Sequence, residues 1–402
     1  MRTLTPYQIR LLLFLSVSCF FEGYDFMAIT QILPGLRAEM GVGVAGAGAL
    51  IAFVNAGTVV AYLLVRKADR WGRRRVMTLT IAGYTLASLA TAFAPNIYAF
   101  AIAQFVARVF LTGEWATSMV YAAEEYPAEQ RGTVIGLIQA FSTVGAIACA
   151  GLVPVLSQTP LGWRSVYLVG ALPLALIAVA RRGLKETARF ETQEAHAPRP
   201  FTAILHTPHR RRMLQMALIW SLTYVCTQNA ITFWKEFAIG ERAYTDGEVG
   251  LTITIAAVAT APLLFLAGKL IDVAGRRVGA TVIYGVTSLG VLGSYTLHDH
   301  VTLGLALTFG IFGTSAVLPV MNAYTTELFP TDLRGDAFAW SNNLLGRVGY
   351  VLSPLLVGQL AVGLGWGRAV ASTTVFPLAA LALILLWLPE TNGRELEDTA
   401  RL

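Results

Sequence analysis

The chain has 402 residues, of which 55% are hydrophobic and only 13% charged, and its mean hydropathy is +0.60. Soluble domains carry roughly 25% charged residues, so this composition excludes an ordinary water-soluble globular protein. The formal net charge of +6 is spread over short connections between apolar runs, so it does not argue for a nucleic-acid partner.

A helix needs about 20 mostly apolar residues to cross the hydrocarbon core of a bilayer. Runs of this kind predict twelve spans, at 10–34, 45–65, 76–95, 97–122, 132–156, 162–183, 213–234, 247–270, 279–296, 301–326, 335–361 and 366–388. The first run is too long for a cleavable signal peptide, and it contains Glu22 and Asp25. These two carboxylates are three residues apart and share one face of helix 1. In a partly desolvated site they repel, and uptake of a proton relieves the repulsion. They are the candidate proton-coupling residues, with Asp25 the deeper of the two. The alternative is that one is locked to an arginine.

Helix 4 carries Arg108, Glu114 and Tyr121. Arg108 and Glu114 are six residues apart, about 240° around the helix, so they do not share a face. Glu114 is therefore expected to pack helices or gate. Helix 5 carries Gln139. The polar, basic segment 184–212 separates a bundle over 1–183 from one over 213–402 and reads as a cytoplasmic linker. On helix 7, Trp220, Tyr224 and Gln228 follow i, i+4, i+8 spacing and share a face. Asn322 on helix 10 and Asn343 with Arg347 on helix 11 complete the polar positions near span midpoints, together with Asn55 and Tyr350. An ionisable side chain at a helix centre costs roughly 2.5–3.5 kcal/mol and marks a functional site by default. Arg108 and Arg347 stay charged at any physiological pH and offer a planar fork suited to a carboxylate. Each could bind an anionic substrate or neutralise a helix 1 carboxylate. The two readings are compatible if protonation of Asp25 frees an arginine.

Three segments recur at one offset of 203 residues. Asp69-Arg-Trp-Gly72-Arg73-Arg74 returns as Asp272-Val-Ala-Gly275-Arg276-Arg277. Glu124-Glu-Tyr-Pro127 through Arg131-Gly returns as Glu327-Leu-Phe-Pro330 through Arg334-Gly. Leu161-Gly-Trp163 returns as Leu364-Gly-Trp366. A duplicated six-helix unit explains the constant offset. An even helix count per copy makes the copies parallel, as in carriers that rock two bundles about a central site. With the N-terminus cytoplasmic, 23 of the 30 Lys and Arg residues fall in inward segments, which places both termini in the cytoplasm. The cysteines at 19, 149 and 226 lie in apolar spans and read as packing residues. All five histidines lie in connections, which excludes a histidine relay through the membrane. No metal site or other cofactor is expected.

On these residues the chain resembles the major facilitator superfamily over essentially its whole length. That family's signature between helices 2 and 3, Gly-x-x-x-Asp-x-x-Gly-Arg-Arg, is complete in the second copy at Gly268, Asp272, Gly275, Arg276 and Arg277, while Val65 replaces the leading glycine of the first. Thr112-Gly-Glu114-Trp115 with Tyr121-Ala-Ala-Glu124, Pro127 with Arg131-Gly, and the tail Leu388-Pro-Glu390-Thr-Asn-Gly393 resemble its sugar porters, metabolite:proton symporters and organic-ion transporters. Glu22-Gly-Tyr-Asp25 looks like the helix 1 run of aromatic-acid:proton symporters. Leu345-Gly-Arg347-Val-Gly with Ser353-Pro354 looks like the organic-anion and nicotinate carriers, in which the arginine faces substrate. The subgroup's usual helix 4 arginine falls at Gln104, and Arg108 lies one turn further.

The resemblance implies an all-α membrane protein of twelve spanning helices in two bundles, in the bacterial inner membrane, and a monomer. It also implies a secondary active transporter rather than an enzyme. The expected activity is proton-coupled uptake of a small organic anion, a monocarboxylate or aromatic acid, by alternating access. Proton-coupling falls to Asp25 and Glu22. Substrate contact falls to Arg347, Arg108, Tyr121, Gln139, Trp220, Tyr224, Gln228, Asn322 and Asn343. Gating falls to Asp69, Gly72, Arg73, Arg74, Glu124, Arg131, Asp272, Gly275, Arg276, Glu327 and Arg334. A proton-antiporting exporter and a neutral-solute porter of the sugar type remain open alternatives, although the latter leaves the two intramembrane arginines unexplained.

Overall fold

The computed structural model describes residues 4–171, 202–330 and 333–393, without the side chains of 66–70, 128–129, 131–132 and 203. The first half contains α1 (Pro6–Met40), α2 (Val44–Trp71), α3 (Arg73–Ala92), α4 (Ile97–Glu125), α5 (Ala128–Leu156) and α6, described over 164–171. The second begins with the short turn Ala203–His206. It continues through α7, in three pieces (Arg210–Thr227, Asn229–Thr232, Trp234–Arg242), then α8 (Asp246–Val273), α9 (Arg276–Thr296) and α10 (His300–Glu327). Next comes α11, made of Arg334–Phe338, a π-helical turn Ala339–Gly346, and Arg347–Ala371. Gly365 (φ +77) breaks that last piece, and Ser372–Thr374 leads into α12 (Val375–Trp387). Among the described residues, eight helices are long and apolar enough to cross a membrane. The last of them, Arg334–Trp387, is 54 residues long, more than twice what one crossing needs. Most of the sixth predicted span and most of the linker fall outside the described residues.

Local chemistry sets the helix ends. Thr5 accepts from the Gln8 backbone N–H while Gln8 reaches back to Thr5, and Pro6 opens the helix behind this capping box. Gly41, in the left-handed region, closes α1. Thr245 and Glu248 form the same box at α8, and Asn96 and Asp299 cap α4 and α10. The repeated signature glycines have matching conformations. Gly72 (φ +89) precedes α3 and Gly275 (φ +94) precedes α9, a region that L side chains avoid. The duplication is thus preserved in backbone geometry as well as in sequence.

The chain divides into two compact units, one of Met1–Val42 with Phe53–Ala197, the other of Gly43–Ala52 with Pro198–Leu402. In the first, α1 and α5 touch backbone to backbone. A Cβ added at Gly23 would sit 1.8 Å from the Ser142 carbonyl oxygen, and one at Gly145 would sit 1.8 Å from that of Phe20. In the second, α7 and α11 meet in the equivalent way, with a Cβ at Gly349 falling 2.0 Å from the Ser221 carbonyl oxygen. The helices of these seams carry Glu22, Asp25, Trp220, Tyr224 and Arg347. Outside them the helices expose large apolar side chains, such as Leu86 and Leu386, as a lipid-facing surface requires.

Candidate functional site

In the first unit, the α1–α5 seam positions Glu22, whose carboxylate accepts from Ser142 Oγ at 2.6 Å. One turn along, Asp25 is 2% exposed, and its Oδ2 has no hydrogen-bond partner. Its electrostatic neighbours are Arg108 and the Tyr84 hydroxyl. Arg108 is 4% exposed, its Nε is unpaired, and its guanidinium lies 5.1 Å from the centre of the Phe26 ring. Gly57 on α2 lets α4 come this close, since a Cβ there would stand 3.1 Å from Arg108 Cβ. Asp25 and Arg108 are thus neighbours that make no direct ion pair among the described residues. An unpaired lone pair on a buried carboxyl is where a proton or a donor can be taken up at low cost.

Glu114, predicted to pack or gate, is buried and joins α4 to α1. It accepts from Ser18 Oγ at 2.7 Å and Ser118 Oγ at 2.8 Å. Gln104, where the subgroup carries arginine, is buried against Thr91 instead. Tyr121 is fully buried with its hydroxyl 3.1 Å from that of Tyr7. Gln139 lies on the exposed side of α5 against Met119 Sδ. Neither comes together with Asp25 and Arg108.

In the second unit, α7 and α11 assemble an aromatic wall beside a cation. Trp220 and Tyr224 are stacked, with centroids 5.3 Å apart and planes at 24°, and Tyr350 meets Tyr224 edge-on at 5.5 Å. The Arg347 guanidinium carbon lies 5.1 Å from the Tyr224 ring centre and 4.6 Å from that of Tyr350. No carboxylate pairs with Arg347 among the described residues, so cation–π attraction holds it in place. Trp220 is anchored by its Nε1 on Thr325 Oγ1, and Tyr224 Oη donates to Asn342 Oδ1 at 2.8 Å. The structure therefore joins four of the residues singled out in the sequence, Trp220, Tyr224, Arg347 and Tyr350, and adds Asn342.

Three other expectations fit less well. Asn343 is partly exposed and makes no part of this contact set, and Asn322 points to the exposed side of α10. Gln228 shares the face of Tyr224 but sits at the break in α7, bonded to Thr232. Lys235, one residue past the predicted span 213–234, is buried in the last piece of α7 and paired with Asp246 at 2.7 Å.

The residues expected to gate pair within each half. Arg73 pairs with Glu124 at 3.0 Å, and their repeat counterparts Arg276 and Glu327 pair at 2.9 Å. Asp272 pairs with Arg276 of its own half at 2.8 Å. Arg334 donates to the Phe329 carbonyl, and Arg74 is exposed at the start of α3. The side chains of Asp69 and Arg131 lie outside the described residues.

Sequence reasoning missed the cap of α9. Glu390, from the quoted tail, accepts from the backbone N–H of Arg276 (2.8 Å) and Arg277 (2.9 Å). Partial burial alone would raise its pKa. Four backbone N–H donors, those of Arg277, Arg276, Asn392 and Thr391, outweigh burial and hold the carboxyl below its usual range. Thr391 then bonds Glu327 at 2.5 Å, so the tail, the signature loop and α10 are tied together.

The duplicated loops, the glycine geometry and the two helical units agree with one sequence profile, that of the Major Facilitator Superfamily, which matches residues 15–342 and 230–401. The chain belongs to this superfamily. It is thus a multi-pass integral membrane transporter and not an enzyme. It is 26% identical over 388 residues to a probable 4-methylmuconolactone transporter of Cupriavidus pinatubonensis, covering 94% of this chain and 89% of that one. It is likewise 26% identical over 385 residues to the cis,cis-muconate transport protein of Acinetobacter baylyi, covering 90% and 91%. Among solved structures, a bacterial homologue of the human lysosomal transporter Spinster superposes with a TM-score of 0.81 at 15% identity, covering 96% and 97% of the two chains. That likeness supports the fold.

Proposed function

We propose that this transporter carries a small, flat organic anion together with protons by alternating access. The observation that carries this reading is Arg347, a cation inside a spanning helix, held by two tyrosine rings and left without a carboxylate partner among the described residues. A guanidinium in this setting is costly and presents two parallel donors to a carboxylate. The stacked wall of Trp220 and Tyr224 suits a planar, unsaturated acid. The relatives named for muconate and 4-methylmuconolactone transport favour the same class.

Asp25 supplies the proton site. Protonation removes the negative charge beside Arg108 and so changes the electrostatics between α1 and α4. A monoanion carried with one proton moves no net charge, so the pH gradient alone drives it. A second proton adds about 2.3 kcal/mol per 100 mV of membrane potential.

Uptake of labelled unsaturated acids into proteoliposomes under an imposed inward proton gradient tests the reading. Expected are uptake that collapses with a protonophore and loss of uptake in Arg347→Ala. Full-rate uptake by Arg347→Ala, or indifference to the protonophore, would sink it.

A further inference from the structure

The π-helical turn Ala339–Gly346 changes which asparagine belongs to the site. In an α-helix, residues five apart point about 140° away from each other. A π turn bonds i to i+5 and brings such residues toward one side, and turns of this kind recur at functional sites. Asn342 and Arg347 are five apart across the turn, and both touch Tyr224. Asn342 does so at the hydroxyl, 2.8 Å from Oη, and Arg347 over the ring face, 5.1 Å from its centre. Asn343, the residue that α-helical spacing selects, is left out. The turn is pressed into place by Gly346, where a Cβ would meet the Ser341 carbonyl oxygen at 2.4 Å and Trp220 Cβ at 2.8 Å.

With Tyr224 donating to Oδ1, the Asn342 side chain is oriented by that bond. Its NH2 makes no hydrogen bond among the described residues and is not sealed off, although the residue as a whole is only 6% exposed. One rigid tyrosine therefore fixes two unpaired donors at a set separation, a charged fork on its face and a neutral amide at its hydroxyl end.

We propose that Asn342 is a second recognition group of the anion site, selecting flat carboxylic acids that bear a hydrogen-bond acceptor across the ring or chain from the carboxylate. This rests on the reading of Arg347 as the anion anchor. Such a substrate meets Arg347 with its carboxylate and Asn342 with a ring nitrogen, a lactone carbonyl or a second carboxylate. An acid of the same shape without the acceptor leaves the amide unpaired.

The test uses the purified full-length protein in proteoliposomes and a matched pair of probes, benzoate and pyridine-3-carboxylate, which differ by one ring CH replaced by N. One neutral hydrogen bond gives the pyridine acid an advantage of about threefold to tenfold in half-saturating concentration. In Asn342→Leu the advantage disappears, because binding of the pyridine acid weakens more than that of benzoate. Tyr224→Phe keeps the ring under Arg347 but frees the amide, and it narrows the preference without abolishing benzoate uptake, which guards against a folding defect in the leucine variant. Equal affinity of the wild type for the two probes, or a preference that survives Asn342→Leu, overturns the assignment of Asn342 alone. If Arg347→Ala takes up both acids like the wild type, the anchor reading falls, and this assignment falls with it.

Discussion

The seam between α7 and α11 should tolerate almost no added volume, and Gly349→Ala tests this directly. The new Cβ would stand 2.0 Å from the Ser221 carbonyl oxygen and 2.7 Å from its carbon. Carbon–oxygen contacts are relaxed at about 3.3 Å, so the helices must part by about 1.3 Å. The obstacle is backbone, and no rotamer change relieves it. Ser221 lies between Trp220 and Tyr224, so the retreat takes the aromatic wall with it. The Arg347 guanidinium, now 5.1 Å from the Tyr224 ring centre, would move to about 6.4 Å, beyond the ~6 Å reach of a cation–π contact. The Tyr224–Asn342 hydrogen bond would lengthen past its limit in the same motion. Losing the first costs about 0.5–1 kcal/mol and the second about 0.5–1.5 kcal/mol. The sum is on the order of 1–2.5 kcal/mol, or roughly a fivefold to seventyfold rise in half-saturating substrate concentration. Overpacking lowers stability by a further ~1–3 kcal/mol. Concentration-dependent uptake in proteoliposomes and thermal unfolding in detergent measure the two effects. Gly285→Ala on α9, where an added Cβ meets nothing within 4 Å, is the control. If Gly349→Ala matches the control in both assays, the seam does not position the site.

Other perturbations separate charge from packing. Asp25→Asn should abolish gradient-driven accumulation while keeping substrate exchange across an equilibrated membrane, because the amide preserves shape but carries no exchangeable charge; retained accumulation would refute Asp25 as the coupling site. Glu114→Leu leaves the Ser18 and Ser118 hydroxyls without their acceptor and should destabilise the detergent-solubilised protein by about 1–3 kcal/mol, seen as a lower unfolding temperature. An unchanged temperature would show the clamp to be idle. Glu390 is held below the ordinary carboxylate range, so its ionised form stabilises the tail at pH values above the unfolded value of about 4.3. That contribution is lost as pH falls below this toward the depressed folded value. Hydrogen exchange at the Arg276 and Arg277 amides should therefore accelerate in Glu390→Gln at pH 7, and in the wild type only once the pH drops below about 4. Equal exchange in variant and wild type at pH 7 would remove Glu390 as the cap of α9.

How much of this was legible in the sequence depends on which physical rule each feature obeys. The apolar helices, the duplication and the paired loop charges rest on apolar run length and a fixed register, and the described residues keep both. Arg73–Glu124 and Arg276–Glu327 reproduce the 203-residue offset as paired ion contacts. The glycines at 72 and 275 were visible as repeats, and the structure supplied their reason in a positive φ.

The contacts of the candidate site were legible only where helices are regular. On α7, Trp220 and Tyr224 obeyed the 3.6-residue period and were found together. On α11, Asn343 was named as a polar residue near the span midpoint, and nothing in Ala339-Trp-Ser-Asn-Asn-Leu-Leu-Gly346 announces that the turn will widen and bring in Asn342 instead. The cause lies in another helix. Gly346 and Gly349 allow α11 to approach Trp220 and Ser221 more closely than any side chain would permit, and an α-helical path there would direct Asn342 away from Tyr224. A lone asparagine beside a glycine pair is therefore weak evidence by itself. It becomes informative once the partner helix offers an aromatic hydroxyl for it to accept. The general consequence is that residues on a membrane helix flanked by close-packed glycines should be assigned to faces only after the packing partner is known.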